Sequence, residues 1–147
     1  MAASPERAFA PIRQIGGARG WYHANALWRL RGVVDRLLGG VGMKRGRRDP
    51  EKLRAGDVVD CWRVVACEAS RVLSLEAEMR LPGRAWLHFE VTPCAEGASI
   101  RQTAVFDPMG LGGLLYWYVL YLPHLLIFRE MLAAVAERTA QMDRLRR

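Results

Sequence analysis

The chain has 147 residues, 51% hydrophobic and 25% charged, which is the size of one domain with enough apolar mass for a core and excludes a disordered polypeptide. Its net charge of +7 is uneven: residues 1–54 hold 12 Lys/Arg against 4 Asp/Glu, and residues 55–147 hold 10 against 11. The three cysteines, Cys61, Cys67 and Cys94, are odd in number and not spaced as zinc ligands, so a reduced thiol set is expected rather than a disulfide scaffold or a metal centre.

Met1–Ile15 carries charges and two prolines and has no apolar stretch of the secretory kind, so a cytoplasmic location is expected. One domain is expected over residues 8–141, with 1–7 and 142–147 as flexible termini. Phe9–Ile15 reads as a short first strand, ended by Gly16-Gly17. Trp21 to Leu38 reads as helical, with Leu27, Leu30, Val34, Leu37 and Leu38 at spacings of three and four on one inward face. Gly32 weakens that stretch by about 1 kcal/mol relative to Ala, so one helix and two short helices bent at Gly32 are both open. Val41 to Arg54 follows as a glycine-rich basic loop.

From Asp57 to Asp107 the period changes to two. Val58–Cys67, Val72–Arg80, Arg84–Thr92 and Ser99–Phe106 read as four strands, and the short breaks between them join neighbours as antiparallel hairpins. Leu73, Leu75, Leu87, Phe89, Val91, Gln102, Ala104 and Phe106 fall on the inner face. Arg63, Glu76, Glu78, His88, Glu90 and Arg101 fall on the outer one, where cross-strand charge pairs can form. With Arg63 outward, Asp60 and Trp62 turn inward with Val58 and Val64.

Leu111 to Arg147 returns to a helical period, with Leu114, Tyr118, Leu125, Phe128, Leu132, Val135 and Ala136 inward, and Pro123 kinking or dividing the helix. Leu111–Phe128 is 18 residues without a charge, which just reaches the length of a membrane span. Pro123, His124, the double glycine and the sheet's need for cover favour a domain helix, with attachment to a lipid surface as the alternative.

These elements make an α+β fold of the helix-grip kind: a curved antiparallel sheet around a long C-terminal helix, with two short helices near the N-terminus. Several segments carry a closer resemblance. They are Ile15-Gly16-Gly17, Gly20-Trp21-Tyr22, Leu27-Trp28-Arg29-Leu30-Arg31-Gly32, Gly56-Asp57, Trp62-Arg63-Val64, Leu81-Pro82-Gly83-Arg84-Ala85-Trp86-Leu87, Phe89-Glu90-Val91, Gln102-Thr103-Ala104 and Tyr116-Trp117-Tyr118. They resemble a bacterial family of uncharacterised domains within the START-like helix-grip superfamily, SRPBCC. That resemblance implies a domain often found after an NAD(P)-binding, epimerase-like Rossmann domain. It implies no activity.

Gly39 to Gly46 is glycine-rich but lacks both the G-x-G-x-x-G spacing and a following Lys-Ser/Thr, so it is not read as a phosphate loop. His23, His88 and His124 are scattered, and no catalytic arrangement is read from them. Apolar pockets with a few placed polar groups are what small-ligand sites look like. The expected function is therefore the binding of a small hydrophobic or amphipathic molecule between sheet and C-terminal helix, with no cofactor. Trp28, Trp62, Phe89, Phe106, Tyr118 and Leu125 would line the cavity, and Asp60 and Gln102 would orient a polar end. Equally, Asp60 can pair with an arginine such as Arg29 or Arg31, and Gln102 with backbone. Lys44, Arg45, Arg47 and Arg48 would form a basic rim favouring an anionic end. Two other classes stay open: an interaction module docking on a Rossmann-type oxidoreductase or on a second copy, and a cyclase-like or hydrolase-like enzyme. Peripheral membrane contact fits the apolar run; nucleic acid is not expected as a partner.

Overall fold

The computed structural model describes residues 3–43 and 46–145. Helix α1 spans Pro5–Arg13 and α2 spans Asn25–Leu37, with a short 3₁₀ turn at Gly17–Arg19 between them. Five strands follow, β1 (Val58–Val59), β2 (Trp62–Glu68), β3 (Val72–Ala77), β4 (Gly83–Cys94) and β5 (Gly97–Pro108). A single long helix, α3 (Gly110–Arg144), closes the chain. The strands pair antiparallel in the order β1-β2-β3-β4-β5, a pure meander. This is the α+β helix-grip arrangement: one antiparallel sheet, a long C-terminal helix and two short N-terminal helices.

Three local expectations are corrected. The segment Phe9–Ile15 is not a strand, because most of it lies in α1. Pro5 opens that helix where a missing N–H costs nothing, and Glu6 sits in the first turn, where the helix dipole favours an acid. Ala8, Phe9 and Ile12 recur at helical spacing and are buried where α1 packs on α3, β4 and β5. The helix therefore takes in Pro5–Arg7, ahead of the expected boundary at residue 8, and α3 runs to Arg144 beyond residue 141. The stretch Val58–Cys67 is not one strand. Asp60, at φ +54°, and Cys61 form a two-residue turn between β1 and β2. Asp is among the few side chains that tolerate this left-handed backbone.

The third correction concerns α2. It is one unbroken helix through Gly32, and the leucine stripe expected inside faces outward: Leu30 and Leu37 are 60% and 82% exposed. Trp28, Gly32 and Asp35 are buried instead. Gly32 is there for close packing, since a Cβ would stand 2.5 Å from Met43 Cγ. Asp35 accepts the backbone N–H of Gly42 at 2.8 Å and of Arg80 at 2.6 Å, tying α2 to the next loop and to the connection between β3 and β4.

The sheet faces follow the two-residue alternation. Val64, Leu73, Leu75, Leu87, Phe89 and Val91 are buried under α1 and the C-terminal half of α3, which inserts Met131 and Val135. The outer face carries Arg63–Glu78, Arg84–Glu76 and Arg101–Glu90 ion pairs and a Ser74 Oγ to His88 Nδ1 hydrogen bond of 2.7 Å. Val65 sits where the β2–β3 register shifts, a bulge that bends β2. Helix α3 passes Pro123 without a break. Its N-terminal half is mostly exposed, so Leu114, Tyr118 and Leu125 are not core positions, whereas Phe128 packs on the core and Val135 lies within it.

Candidate functional site

Because the first half of α3 stands off the sheet, the inner face is left uncovered near the open ends of β4 and β5. A cavity of about 270 Å³ lies there. Its sheet side is Trp62, Ala77, Ala85, Gln102, Ala104 and Phe106. Trp117, Tyr121, His124, Leu125 and Phe128 of α3 face them, and Trp28 of α2 closes one side. Register explains the floor: Gln102 pairs with Phe89, Ala104 with Leu87 and Phe106 with Ala85, so the small alanines leave room.

The wall is aromatic and tightly braced. Trp21, Trp28 and Trp62 form a cluster with ring centroids 5.4, 5.8 and 6.3 Å apart, and Trp28 reaches Phe128 at 6.3 Å. At the other end Phe106 stacks on Trp117 at 5.6 Å. Among the described residues, four polar atoms of this apolar wall are buried with no hydrogen-bond partner: Trp28 Nε1, Trp62 Nε1, and both Nε2 and Oε1 of Gln102. Unpaired buried polar groups cost about 1–3 kcal/mol each and are rare in native structures. All three side chains belong to the lining of this one cavity.

The expected site residues divide. Trp28, Trp62, Gln102, Phe106 and Leu125 line the cavity. Asp60 does not. Its Oδ2 accepts the indole N–H of Trp21 and the backbone N–H of Gly17, both at 2.9 Å, so it braces the tryptophan cluster from behind. It pairs with neither Arg29 nor Arg31 in these bonds. Phe89 is fully buried in the core beneath the cavity, and Tyr118 is 74% exposed on the outer side of α3. The basic rim is also absent from the lining. Arg47 donates to the carbonyls of Ile15, Arg13 and Asp49, and Arg48 is bidentate to Asp57. Lys44 and Arg45 lie outside the described residues.

Met79, Trp86, Trp117, Tyr121 and His124 line the cavity and were not expected there. The aromatic run Tyr116 to Tyr121 was the available signal, but its inward side depends on how far α3 stands from the sheet. His124 stacks on Phe128 at 5.6 Å. Burial pushes its imidazole below the usual 6.5, and Arg31 adds to that while a backbone hydrogen bond at Leu120 works against it. A larger groove, about 700 Å³, runs between α2 and Gly17–Trp21, with Arg29 and Arg36 on its side. None of the four unpartnered atoms is an indole or amide group peculiar to that groove; Trp62 and Gln102 belong to the smaller cavity alone. Among the described residues no cluster of His, Cys, Asp and Glu could hold a metal ion.

Residues 1–131 match the model of a family described as a protein of unknown function, DUF2867. No curated protein matches the chain. The chain is similar in structure to CalU16 from Micromonospora echinospora, at 9% identity, over 96% of this chain and 80% of that one, with a TM-score of 0.43.

Proposed function

Starting from a chain that belongs to the DUF2867 family, we propose that it binds a small, mostly apolar molecule that carries a neutral hydrogen-bonding group at one end. The observation that carries this is the set of unpartnered atoms on Trp28, Trp62 and Gln102 in an otherwise apolar cavity. The two indoles offer donors, and the Gln102 amide offers a donor and an acceptor. A carbonyl or hydroxyl would complement them.

Three further points support the reading. The volume, about 270 Å³, is just under the roughly 300 Å³ at which ligand pockets usually begin, which fits a small occupant. An apolar cavity of roughly 150 Å³ holds benzene, so a molecule of about two fused rings matches better than a long acyl chain. Among the described residues no arginine or lysine stands in the lining, which favours a neutral polar end over the anionic one expected from the basic loop. A cavity between sheet and helix also counts against a module whose interior is packed by its own side chains.

The test is a titration of naphthol- and indanone-like compounds followed by tryptophan fluorescence, since Trp28, Trp62, Trp86 and Trp117 all line the site. Saturable quenching should weaken in Gln102→Leu and in Trp62→Phe, which keeps an aromatic ring and removes the N–H. If no compound saturates, and native mass spectrometry of protein from its own host carries no small molecule, the proposal is wrong.

A further inference from the structure

Two helices that both border the cavity, α2 through Trp28 and α3 through Tyr121 and Leu125, present apolar surface to solvent. Leu30 and Leu37 of α2 are mostly exposed, as are Leu115, Tyr118, Val119 and Leu122 of α3. The helices approach each other where Trp28 meets Phe128. Exposed apolar area on this scale, contributed by two neighbouring helices, marks a surface that something covers.

We propose that the exposed sides of α2 and α3 form one face that docks on an anionic lipid bilayer, lying in its interface rather than crossing it. Helix α3 is held along its inner side at several points. A Cβ on Gly113 would run into the carbonyl oxygen of Pro82, Trp117 stacks on Phe106, and Met131 and Val135 are in the core. A helix pinned in this way cannot traverse a membrane, although its length and composition would allow it. Its outer side alone can enter the headgroup region, as amphipathic surface helices do.

The charge pattern chooses the lipid over a second copy of the chain. Arg29 and Arg36 stand two helical turns apart, each one residue before Leu30 and Leu37, so they border the apolar stripe. Among the described residues neither has an ion-pair partner. The one carboxylate of α2, Asp35, is fully buried and bonded to Gly42 and Arg80. Helix α3 has no acid before Phe128. Two copies joined through this face would bring leucines together with no carboxylate within either stripe to receive the arginines. A bilayer offers phosphate and anionic headgroups to Arg29 and Arg36 and acyl chains to the leucines. Tyr118 and Tyr121 have the amphipathic rings that settle at that boundary. Tyr121 and Leu125 also line the cavity and are about half exposed, so its mouth opens onto this face. The docking stands whether or not the cavity holds a ligand.

The test is flotation of the full chain with vesicles of phosphatidylcholine alone or with phosphatidylglycerol. The anionic vesicles should carry the protein, less so at high salt, and phosphatidylcholine alone should carry little. Arg29→Ala with Arg36→Ala should weaken binding by about thirtyfold. Leu37→Asp with Leu122→Asp should abolish it, with an unchanged circular dichroism melt because both positions are exposed. Equal binding to both vesicle types, no binding to either, or binding that survives the leucine changes would overturn the proposal. So would a dimer in sedimentation that those same leucine changes dissociate, since a second copy would then cover the face.

Discussion

The carboxylate of Asp60 accepts the indole N–H of Trp21 at 2.9 Å, and that bond places it behind the tryptophan cluster rather than inside the cavity. The same oxygen takes the Gly17 N–H, and the residue's φ of +54° makes the β1–β2 turn. Asp60→Ala should therefore cost stability, about 2–3 kcal/mol, because it removes charge-assisted bonds and puts Ala at a left-handed position. Asp60→Asn keeps an acceptor and the backbone preference and should cost less. Urea melts of the two variants check the order. A ligand-orienting Asp60 would instead lower affinity in both variants with little change in the melts.

Gln102 makes the opposite prediction. Its amide is buried without partners, so Gln102→Leu should leave the ligand-free protein as stable or more stable, by up to about 1 kcal/mol. The same change should weaken any compound that saturates the fluorescence titration. A loss of stability on Gln102→Leu would mean that the amide holds the fold together.

The leucines divide by position. Leu87 is fully buried between α1, α3 and the sheet, and Leu87→Ala should cost about 2–5 kcal/mol. Leu37 carries the same side chain at 82% exposure, and Leu37→Ala should cost no more than about 0.5 kcal/mol. On the outer sheet face, Glu90→Ala should cost about 0–1 kcal/mol, since its pair with Arg101 is exposed. Thermal melts of the three variants test the face assignment of α2 and of the sheet together.

Gly32 reverses an ordinary rule. A glycine in a helix interior is usually improved by Ala, by about 1 kcal/mol. Here the added Cβ would stand 2.5 Å from Met43 Cγ and 2.9 Å from its backbone nitrogen. Gly32→Ala should destabilise, and adding Met43→Ala should recover part of the loss. Additive losses in the double variant would show that the two residues do not meet.

His124 sets a pH dependence. Burial lowers its pKa in the folded state below the 6.5 of the free side chain, so the unfolded chain binds the proton more readily. Stability from this group is complete above about pH 6.5 and is lost as pH falls through the lower folded-state value. His124→Gln should flatten that part of the profile. Chemical melts between pH 5 and 8 would show an unchanged slope if the imidazole is freely solvated.

Period-two alternation and short breaks were enough to read the β3–β5 meander, its two faces and the long C-terminal helix, because each depends on residues within a few positions of one another. Trp28, Trp62, Gln102, Phe106 and Leu125 could be placed at the cavity for the same reason: inward parity in a strand, or a helical stripe, is a local property. The orientation of α2 was not legible. Its leucine stripe is the stronger hydrophobic signal, yet Asp35 reaches backbone amides at Gly42 and Arg80, 7 and 45 residues away, and Trp28 joins a cluster with Trp62. Those non-local bonds decide which side faces in, and they turn the leucines outward. Asp60 failed as a cavity residue for a related reason: its left-handed backbone makes a turn where alternation suggests a continuous strand, and its partner lies 39 residues away. The void itself depends on how far α3 stands from β5, a distance set by packing at Gly113, Trp117 and Met131 together, and no local pattern encodes it.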